Sequence, residues 1–574
     1  MRIGNDILQS VGRWTLAFAG SGVLAISLAN CSTDAASGGT AGAPGGVAGS
    51  PSAAAGAPSG VAGSPSGAAA GGGNQGGSGS PTAGSGGTPA SGAAGAGAGG
   101  TGTAGAAPGG AGGTGGTVAA AGASGSAGSA GSGGGTTPTG TTVKLDATKQ
   151  AMEGFGINNT WATAMSDSEA DAMFNTTGNG LGLSILRIGM GADGGYMSSN
   201  IPADVTKAKA RGVKTIIGSC WSPPANMKTN NNINDGGHLK PESYEAWATT
   251  IAKFAKDNSL YAMSIGNEPD FASCGTVEPC NGNYPTTLYS AEEMVAFIKV
   301  AGPKLKANNV KVIAPEASEW IHNWSNTSAT GSEPSNKNSS DPLKCGFPAT
   351  MCAEGKGYDY GHALWKDKTA WAALDIMGVH QYDTQVAELW PTDVTEKKPV
   401  WQTEMSGVKW WKEQGPSATI ANGIAVAGWI HSAVTIGEAS AWLWWWWSAY
   451  GTDDNEGLLL KNGTDTKRRW TLGNYSKFIR PGYTRVDITA GPSADVLLSA
   501  FKGPDGTVVV VAINKGAAAA SFPISITGGT APATVTPWVT SATDNLASKT
   551  AIPVTAGSFT AALASMTVTT FVGK

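Results

Sequence analysis

Short apolar runs alternate with segments of helical periodicity between residues 152 and 480. The predicted strands are 152–158, 183–189, 214–219, 262–267, 310–315, 375–380, 399–403 and 440–445. The clearest helical patterns between them are 241–257, 291–307 and 418–436. Alternation of strand and helix is typical of a parallel sheet covered by helices, and eight strands in this order predict an α/β fold, a (β/α)8 TIM barrel.

The pattern changes after residue 480 to short β runs separated by turn signals. These runs lie at 496–501, 507–514 and 567–572, and residues 142–145 are able to pair with them. We therefore expect a β-sandwich side domain built from both ends of the globular region, residues 143–151 and 481–574. The barrel would occupy residues 152–480.

The first 142 residues show neither the strand–helix alternation of the predicted barrel nor the short β runs of the predicted side domain. Arg2 and Arg13 precede an apolar run that ends at Cys31, as in a secretion signal covering residues 1–31. The ending Leu-Ala-Asn-Cys resembles the bacterial lipoprotein box, in which Cys31 would carry the lipid. Residues 32–142 are rich in Gly, Ala and Ser, so they should form a disordered linker. We expect a secreted or cell-surface protein, lipid-anchored to the outer membrane or released by cleavage of the linker.

Charge limits the kinds of partner. The formal net charge is −4 and no basic cluster occurs, which argues against nucleic acid or an anionic membrane surface and favours a neutral polymer. Any membrane contact would come through the lipid anchor alone. No two histidines lie at metal-ligand spacing, so we predict no metal and no cofactor, and we expect a monomer.

The cysteines suggest disulfides, because the chain has a predicted secretion signal. Cys274 with Cys280, and Cys345 with Cys352, are the simplest pairs, although crossed pairings between the two segments remain open. Cys220 lies in an apolar strand and should be a buried thiol.

Candidate chemistry centres on two glutamates at predicted strand ends. Glu268 follows the fourth strand and Glu404 follows the seventh, and barrel active sites are built at such ends. Two carboxyls about 5 to 5.5 Å apart are the requirement for glycoside hydrolysis with retention. Glu268 would be the acid and base, and Glu404 the nucleophile. The alternatives are a surface glutamate in a turn and a structural carboxylate.

Polar residues on other strands fit the same site. Arg187 lies among apolar residues on the second strand and needs a carboxylate partner, which Glu404 would supply. A purely structural salt bridge is the alternative. His380 and Tyr382 alternate on the sixth strand and should face the barrel mouth, where Tyr382 would donate a hydrogen bond to Glu404. A structural role for His380 is equally open.

Tryptophan faces are suitable platforms for sugar rings. Those that closely follow strands, or end one, are candidates to line the cleft: Trp161, Trp221, Trp324, Trp445 and Trp446. Those inside helical patterns are expected to be packing residues: Trp247, Trp365 and Trp371.

Five stretches resemble glycoside hydrolase family 30, in the family's order: 153–156, 181–187, 221–229, 266–270 and 474–483. The closest resemblance is to its bacterial glucuronoxylanase-type xylanases. It implies a barrel with a β-sandwich, a xylan substrate, and the acid/base and nucleophile roles for Glu268 and Glu404. It also implies that Asn267 hydrogen-bonds the sugar 2-hydroxyl.

The chain departs from the glucuronoxylanase pattern in two segments. Residues 446–451 lack the arginines that the family places before Ser-Tyr-Gly, and Ala387 replaces a serine. We therefore predict an endo-β-1,4-xylanase that does not depend on glucuronate branches. The alternatives are another family 30 glycosidase, such as a β-1,6-glucanase or a β-glycosidase, and a non-catalytic polysaccharide-binding lipoprotein.

Overall fold

The computed structural model describes residues 140–234, 236–271, 284–324, 357–382, 386, 390–407, 416–448, 456–460 and 465–574. The predicted signal segment, residues 32–139 of the predicted linker, Cys31 and the four cysteines of the predicted disulfides lie outside these residues. Thr141 and Thr142, which the sequence analysis assigned to the linker, instead begin a strand. Cys220 is a buried free thiol. Within the described part of the chain, no helix is both long enough and apolar enough to cross a bilayer.

The described residues contain a closed barrel of eight parallel strands. The first strand of the chain, β1 (Thr141–Ala151), precedes it. The barrel strands are β2 (Gly154–Asn158), β3 (Ile185–Met190), β4 (Thr215–Cys220), β5 (Ala262–Ser264), β6 (Lys311–Ala317), β7 (Ile376–His380), β8 (Val400–Glu404) and β9 (Ala439–Ser448). Each pairs with the next in the chain, and β9 pairs with both β8 and β2. The predicted barrel is confirmed.

Helices cover the outside of the barrel. They are α1 (Asp167–Phe174), α2 (Ile201–Ala210), α3 (Tyr244–Asp257), α4 (Ala291–Lys306), α5 (Tyr360–Lys366), α6 (Lys368–Ala373), α7 (Ile420–Thr435) and α8 (Lys467–Ser476). Short 3-10 turns occur at Ala225–Met227, Pro241–Ser243 and Trp320–Asn323. The helix starts follow the local sequence: Ser290 and Glu293 form a reciprocal capping box at α4.

Apolar side chains fill the lower part of the barrel interior. This inner cluster consists of Ile185, Ile217, Ala262, Ile313, Ile376, Trp401, Ala441 and Leu443. Strand residues point alternately inward and outward, so the other buried residues of the same strands pack against the helices. The filled lower barrel leaves the carboxyl ends of the strands as the place for polar side chains.

The second sheet joins both ends of the described chain. A short strand, β10 (Gly457–Leu459), pairs with barrel strand β9 and is not part of this sheet. Besides β1, the second sheet comprises β11 (Thr484–Ile488), β12 (Val496–Lys502), β13 (Val508–Asn514), β14 (Ala520–Thr527), β15 (Thr534–Thr540), β16 (Ala547–Ser548), β17 (Ile552–Pro553), β18 (Ser558–Leu563) and β19 (Thr567–Gly573). Strand β1 pairs antiparallel with β11 and parallel with β14. The predicted side domain built from both chain ends is confirmed.

Strand β13 links the two apolar cores. Its residues Val508 and Val510 belong to the core of the side domain, whereas Val509 and Val511 belong to the large cluster that includes the barrel helices. Because side chains alternate along a strand, one strand contributes to two cores. The side domain thus packs on the barrel through buried apolar surface.

Candidate active site

Two buried glutamates lie at the carboxyl ends of barrel strands. Glu404 is the last residue of β8, and Glu268 follows shortly after β5. They are only 5% and 6% exposed. One carboxylate oxygen of each, together with a ring nitrogen of His380, lie within 4.8 Å of one another. The structure therefore brings the two carboxyls close enough to act on one bond.

The backbone at Glu268 has an unusual conformation. Its φ is 47°, and Glu316 at the end of β6 has a φ of 63°, both in the left-handed region. The amide of Glu268 donates to the carbonyl of Glu316 at 3.0 Å. Left-handed conformations are uncommon outside glycine and cluster at functional sites. This backbone contact fixes where the Glu268 side chain begins.

Arg187 lies at the centre of the polar network. It is fully buried on β3, and its Nη1 donates to Glu404 Oε2 at 2.6 Å. Its Nη2 donates to Asn267 Oδ1 at 2.6 Å and lies 3.2 Å from Glu316 Oε2. Burial alone would lower the pKa of the guanidinium, but the Glu316 and Glu404 carboxylates outweigh it and raise the pKa. Arg187 is therefore a permanent cation beside Glu404.

Glu316 was missed in the sequence analysis. It is fully buried, and the Ser219 hydroxyl donates to its Oε2 at 2.5 Å. Burial would raise the pKa of this carboxyl, but Arg187, His380 and serine hydroxyls lower it below the usual value. The sequence contained a signal for it, because Glu316 is a third glutamate at a strand end. It was overlooked because the predicted strand stopped one residue earlier, at Pro315.

The two catalytic candidates differ in their electrostatic surroundings. Burial and the Asp270 carboxylate, with a smaller contribution from Glu316, raise the pKa of Glu268 to about 8 in spite of Arg187. Burial also raises the pKa of Glu404, but His380, the bonded Arg187 and a Tyr382 hydrogen bond oppose it. We place the proton on Glu268 and the negative charge on Glu404. Burial and the Asp270 carboxylate are thus the main causes of the raised pKa at Glu268.

Tyr382 and His380 both contact the pair. The Tyr382 hydroxyl donates to Glu404 Oε1 at 2.8 Å. His380 Nδ1 is 3.0 Å from Glu268 Oε1, and its Nε2 is 3.8 Å from Glu404 Oε2. Burial lowers the pKa of His380, with Arg187 adding to this and Glu404 opposing it. A neutral imidazole thus lies between the two carboxyls.

Asp270 is a second residue to which the sequence analysis gave no role. It is buried and accepts hydrogen bonds from the Ser318 amide and hydroxyl, both at 2.8 Å. His322 Nδ1 lies 2.6 Å from the same carboxylate. Burial would raise its pKa, but the His322 contact and the Ser318 bonds lower it. Asp270 is therefore an ionised carboxylate next to the Glu268 segment.

Four of the predicted tryptophans come together, and one of them, Trp221, lies against Arg187. Trp161 lies 5.5 Å from Trp221 and 6.1 Å from Trp445, measured between ring centroids. Trp445 stacks on Trp446 at 5.3 Å, and the Arg187 guanidinium lies 4.8 Å from the centre of the Trp221 ring. These rings form one aromatic wall beside the carboxyl pair.

The fifth predicted tryptophan lies elsewhere. Trp324 contacts Trp390 at 5.2 Å and His362 at 5.3 Å, and it has no described ring contact with the aromatic wall. Tyr284, which the sequence analysis did not name, lies 6.0 Å from Trp161 instead. Burial and then the charge of Glu268 raise the pKa of the Tyr284 phenol well above its usual value. Tyr284 extends the wall toward Glu268.

The glucuronate segments are described only in part. Residues 383–385, 387–389 and 449–455, which include Ala387, lie outside the described residues. Trp446 and Trp447 are described and buried, and Trp446 Nε1 donates to the Thr160 carbonyl at 2.6 Å. Bulky aromatic rings thus occupy the described part of the segment that lacks the arginines.

Glu268, His380 and Glu404 are close enough to ligate one cation. The Arg187 guanidinium already bonds Glu404, and His380 already contacts Glu268.

Solved structures resemble this chain over its globular part. A glycoside hydrolase family 30 subfamily 8 xylanase from Clostridium acetobutylicum matches with a TM-score of 0.61 and 29% identity, covering 76% of this chain and 99% of that one. A family 30 endoxylanase from Clostridium papyrosolvens matches with a TM-score of 0.58 and 29% identity, covering 76% and 100%. An endo-β-1,6-glucanase at 17% identity and a TM-score of 0.54 shares the fold.

Sequence comparison leads to the same family. The family model for the glycosyl hydrolase family 30 β-sandwich domain matches residues 482–568. The glucuronoxylanase XynC of Bacillus subtilis (strain 168) is 30% identical over 453 residues, which cover 75% of this chain and 91% of that protein. With the barrel, the side domain and the carboxyl pair in place, this chain belongs to glycoside hydrolase family 30.

Proposed function

We propose that this chain is a retaining endo-β-1,4-xylanase that cleaves xylan without depending on glucuronate branches. The observation that carries the proposal is the buried Glu268 and Glu404 pair, in which one carboxylate oxygen of each residue lies within 4.8 Å of one of the other. Retaining glycosidases hold their carboxyls about 5 to 5.5 Å apart, whereas inverting ones need roughly 6.5 to 9.5 Å to admit a water. The short separation supports retention.

In the first step, a Glu404 oxygen attacks the anomeric carbon and the bond to the leaving oxygen breaks. Glu268 transfers its proton to that oxygen, so the leaving sugar departs as an alcohol. In the second step, Glu268 removes a proton from water, which attacks the same carbon and releases Glu404 as a carboxylate. The pKa of Glu268, raised to about 8, suits a group that both gives and takes the proton.

Neighbouring groups prepare Glu404 for attack. Arg187 and Tyr382 each occupy one of its oxygens with a hydrogen bond, at 2.6 and 2.8 Å, which fixes the carboxylate plane. The amide oxygen of Asn267 accepts a hydrogen bond from Arg187 at 2.6 Å. The NH2 group of Asn267 is therefore the donor that can face the substrate. A hydrogen bond from Asn267 to the sugar 2-hydroxyl would strengthen as positive charge develops at the anomeric carbon.

Similarity to two clostridial xylanases and to a glucuronoxylanase supports xylan as the substrate. Independence from glucuronate rests on the sequence of residues 446–451, which contains no arginine to pair with a branch carboxylate. Losing a charge-assisted hydrogen bond of this kind costs about 1.5 to 3 kcal/mol of binding.

Product analysis by mass spectrometry tests the proposal. The protein is incubated separately with glucuronoxylan, arabinoxylan and unbranched xylo-oligosaccharides, with Glu404→Gln as the inactive control. Comparable cleavage of all three supports the proposal. Cleavage of glucuronoxylan alone would overturn branch independence. If none of the three is cleaved, another family 30 activity is favoured. If the parent protein shows no turnover and both it and Glu404→Gln bind xylan tightly, a polysaccharide-binding protein is favoured.

We also propose that the protein is exported and tethered by a lipid on Cys31. The support is the charged start, the apolar run and the Leu-Ala-Asn-Cys ending of residues 1–31. Mass spectrometry of the mature N terminus should find a lipid-modified Cys31, and a Cys31→Ser variant should lose it. An unmodified N terminus at another position would overturn the tether.

A further inference from the structure

We propose that Glu316 is a positioning residue of the catalytic site, which holds the Arg187 guanidinium in the orientation that serves both Glu404 and Asn267. Arg187 spans these groups with its two terminal nitrogens, Nη1 to Glu404 at 2.6 Å and Nη2 to Asn267 at 2.6 Å. Glu316 Oε2 lies 3.2 Å from the same Nη2. This inference rests on the glycosidase function proposed above.

The orientation matters because a guanidinium prefers to bind a carboxylate with two parallel hydrogen bonds. Turned fully onto Glu404, Arg187 would leave Asn267 and would cover both oxygens of the nucleophile. Glu316 opposes that turn, since it attracts Nη2 from the opposite side of the fork. One Glu404 oxygen thus remains for Tyr382, and the Asn267 amide stays in place.

Glu316 is itself fixed from two sides. The Ser219 hydroxyl on β4 donates to its Oε2 at 2.5 Å, and the side chain is fully buried. Its main-chain carbonyl accepts from the Glu268 amide at 3.0 Å. One residue therefore contacts the surroundings of both catalytic glutamates, through its side chain toward Glu404 and through its backbone toward Glu268.

The charge of Glu316 also acts across the site. The titratable groups around it are Arg187 on β3, Cys220 on β4, Glu268 after β5, His380 on β7 and Glu404 on β8. Burial keeps Cys220 a thiol, and burial keeps His380 neutral. The net charge near the pair is then set by the Arg187 cation against the carboxylates of Glu316, Glu404 and Asp270. Removing one negative charge should make Glu268 easier to ionise.

Glu316→Gln tests the role, because it keeps the shape and removes the charge. In the pH profile of kcat/KM, we expect both limbs to move to lower pH, by about one unit for the alkaline limb. We expect kcat to fall roughly ten- to a hundred-fold, as for a misplaced catalytic group, with a smaller change in KM. An unchanged profile with an unchanged kcat would overturn the proposal.

Two matched variants separate charge from packing. Ser219→Ala removes the hydrogen bond to Glu316 but leaves its charge, so the limbs should stay where they are in the parent. Glu153→Gln changes a half-buried carboxyl just before β2 and should leave the profile unshifted. If the pH limbs of Ser219→Ala shift as far as those of Glu316→Gln, packing and not charge causes the shift, and the role of the Glu316 charge is overturned.

A titration of the Glu268 carboxyl without substrate tests this inference separately from the proposed xylanase function. Carbon-13 NMR of protein labelled at glutamate carboxyls follows Glu268 directly, with its signal assigned by Glu268→Gln. The expected midpoint near pH 8 in the parent should fall in Glu316→Gln even if xylan proves not to be the substrate. A midpoint that does not move would count against Glu316, whatever the substrate.

Discussion

Among single residues, the environment of Glu268 sets the pH range in which this proposed general acid carries its proton. The carboxyl is buried and close to the ionised Asp270, and its pKa is raised to about 8. A general acid must be protonated, so activity should be present below this pKa and be lost as the pH rises through it. The alkaline limb of kcat/KM should therefore lie near pH 8.

Asp270→Asn tests the cause of that limb. The substitution removes the negative charge that contributes to the raised pKa of Glu268, so the alkaline limb should move to lower pH by about one unit. Glu319→Gln serves as the comparison, because Glu319 Oε2 lies 3.6 Å from Nε2 of His322, the residue that also contacts Asp270. A limb that stays in place in Asp270→Asn would contradict the charge argument.

Arg187 has a second measurable role, in stability. Arg187→Met would leave the buried carboxylates of Glu316 and Glu404 without their cation, and breaking a buried pair in this way costs about 3 to 5 kcal/mol. The control is Arg211→Met, whose partners Asp167 and Asp171 are exposed, and its cost should be about 0 to 1 kcal/mol. Urea unfolding of both variants measures the difference, and equal costs would contradict it.

Several site residues were predictable because they break a local pattern. Arg187 is a charge in an apolar strand, and Glu268 and Glu404 are acids at strand ends. Glu316 has the same signature, but the prediction ended its strand one residue early. The place of Trp324 depends on contacts with Trp390 and His362, which are distant in sequence, so periodicity gave no indication of it.

At the scale of elements, close packing between neighbouring barrel strands leaves no room at Gly156. An added Cβ would lie 2.7 Å from the Ile185 carbonyl and 2.8 Å from the Leu443 side chain. Gly156→Ala on β2 should therefore destabilise the fold by about 1 to 3 kcal/mol.

The control is Gly428→Ala on α7, where an added Cβ meets nothing within 4 Å. It should raise stability by about 0.5 to 1 kcal/mol, because alanine is the better helix former. Thermal unfolding of the two variants should shift in opposite directions. An unchanged unfolding temperature in Gly156→Ala would contradict the close packing between β2 and β3.

The barrel strands were visible in sequence because parallel strands are buried on both faces and appear as continuous apolar runs. Strand β5 is shorter than its predicted range 262–267, since the chain turns into the left-handed Glu268. Helices α1, α2 and α8 lie outside the helical patterns named from the sequence, whereas α5 and α6 carry Trp365 and Trp371, which those patterns placed in helices. Helix α8 begins with Lys-Arg-Arg, whose Arg468 and Arg469 are buried with polar partners.

At the scale of the whole molecule, the side domain and the barrel share buried surface. Asn474 on α8 donates to the Trp538 carbonyl and to the Thr570 hydroxyl, both at 3.0 Å, and it is fully buried. Calorimetry should therefore show one unfolding transition, and Asn474→Ala should lower its midpoint at a cost of about 1 to 3 kcal/mol. Two separate transitions would contradict a shared core.

If Glu404 attacks the anomeric carbon as proposed, hydrolysis proceeds with retention of configuration. Proton NMR of the anomeric region, recorded as the first xylan bonds are cut, tests this before mutarotation mixes the products. With retention, the β-anomer forms first and the α-anomer grows in later. First appearance of the α-anomer would mean a single displacement by water, and Glu404 would then be a base and not the nucleophile.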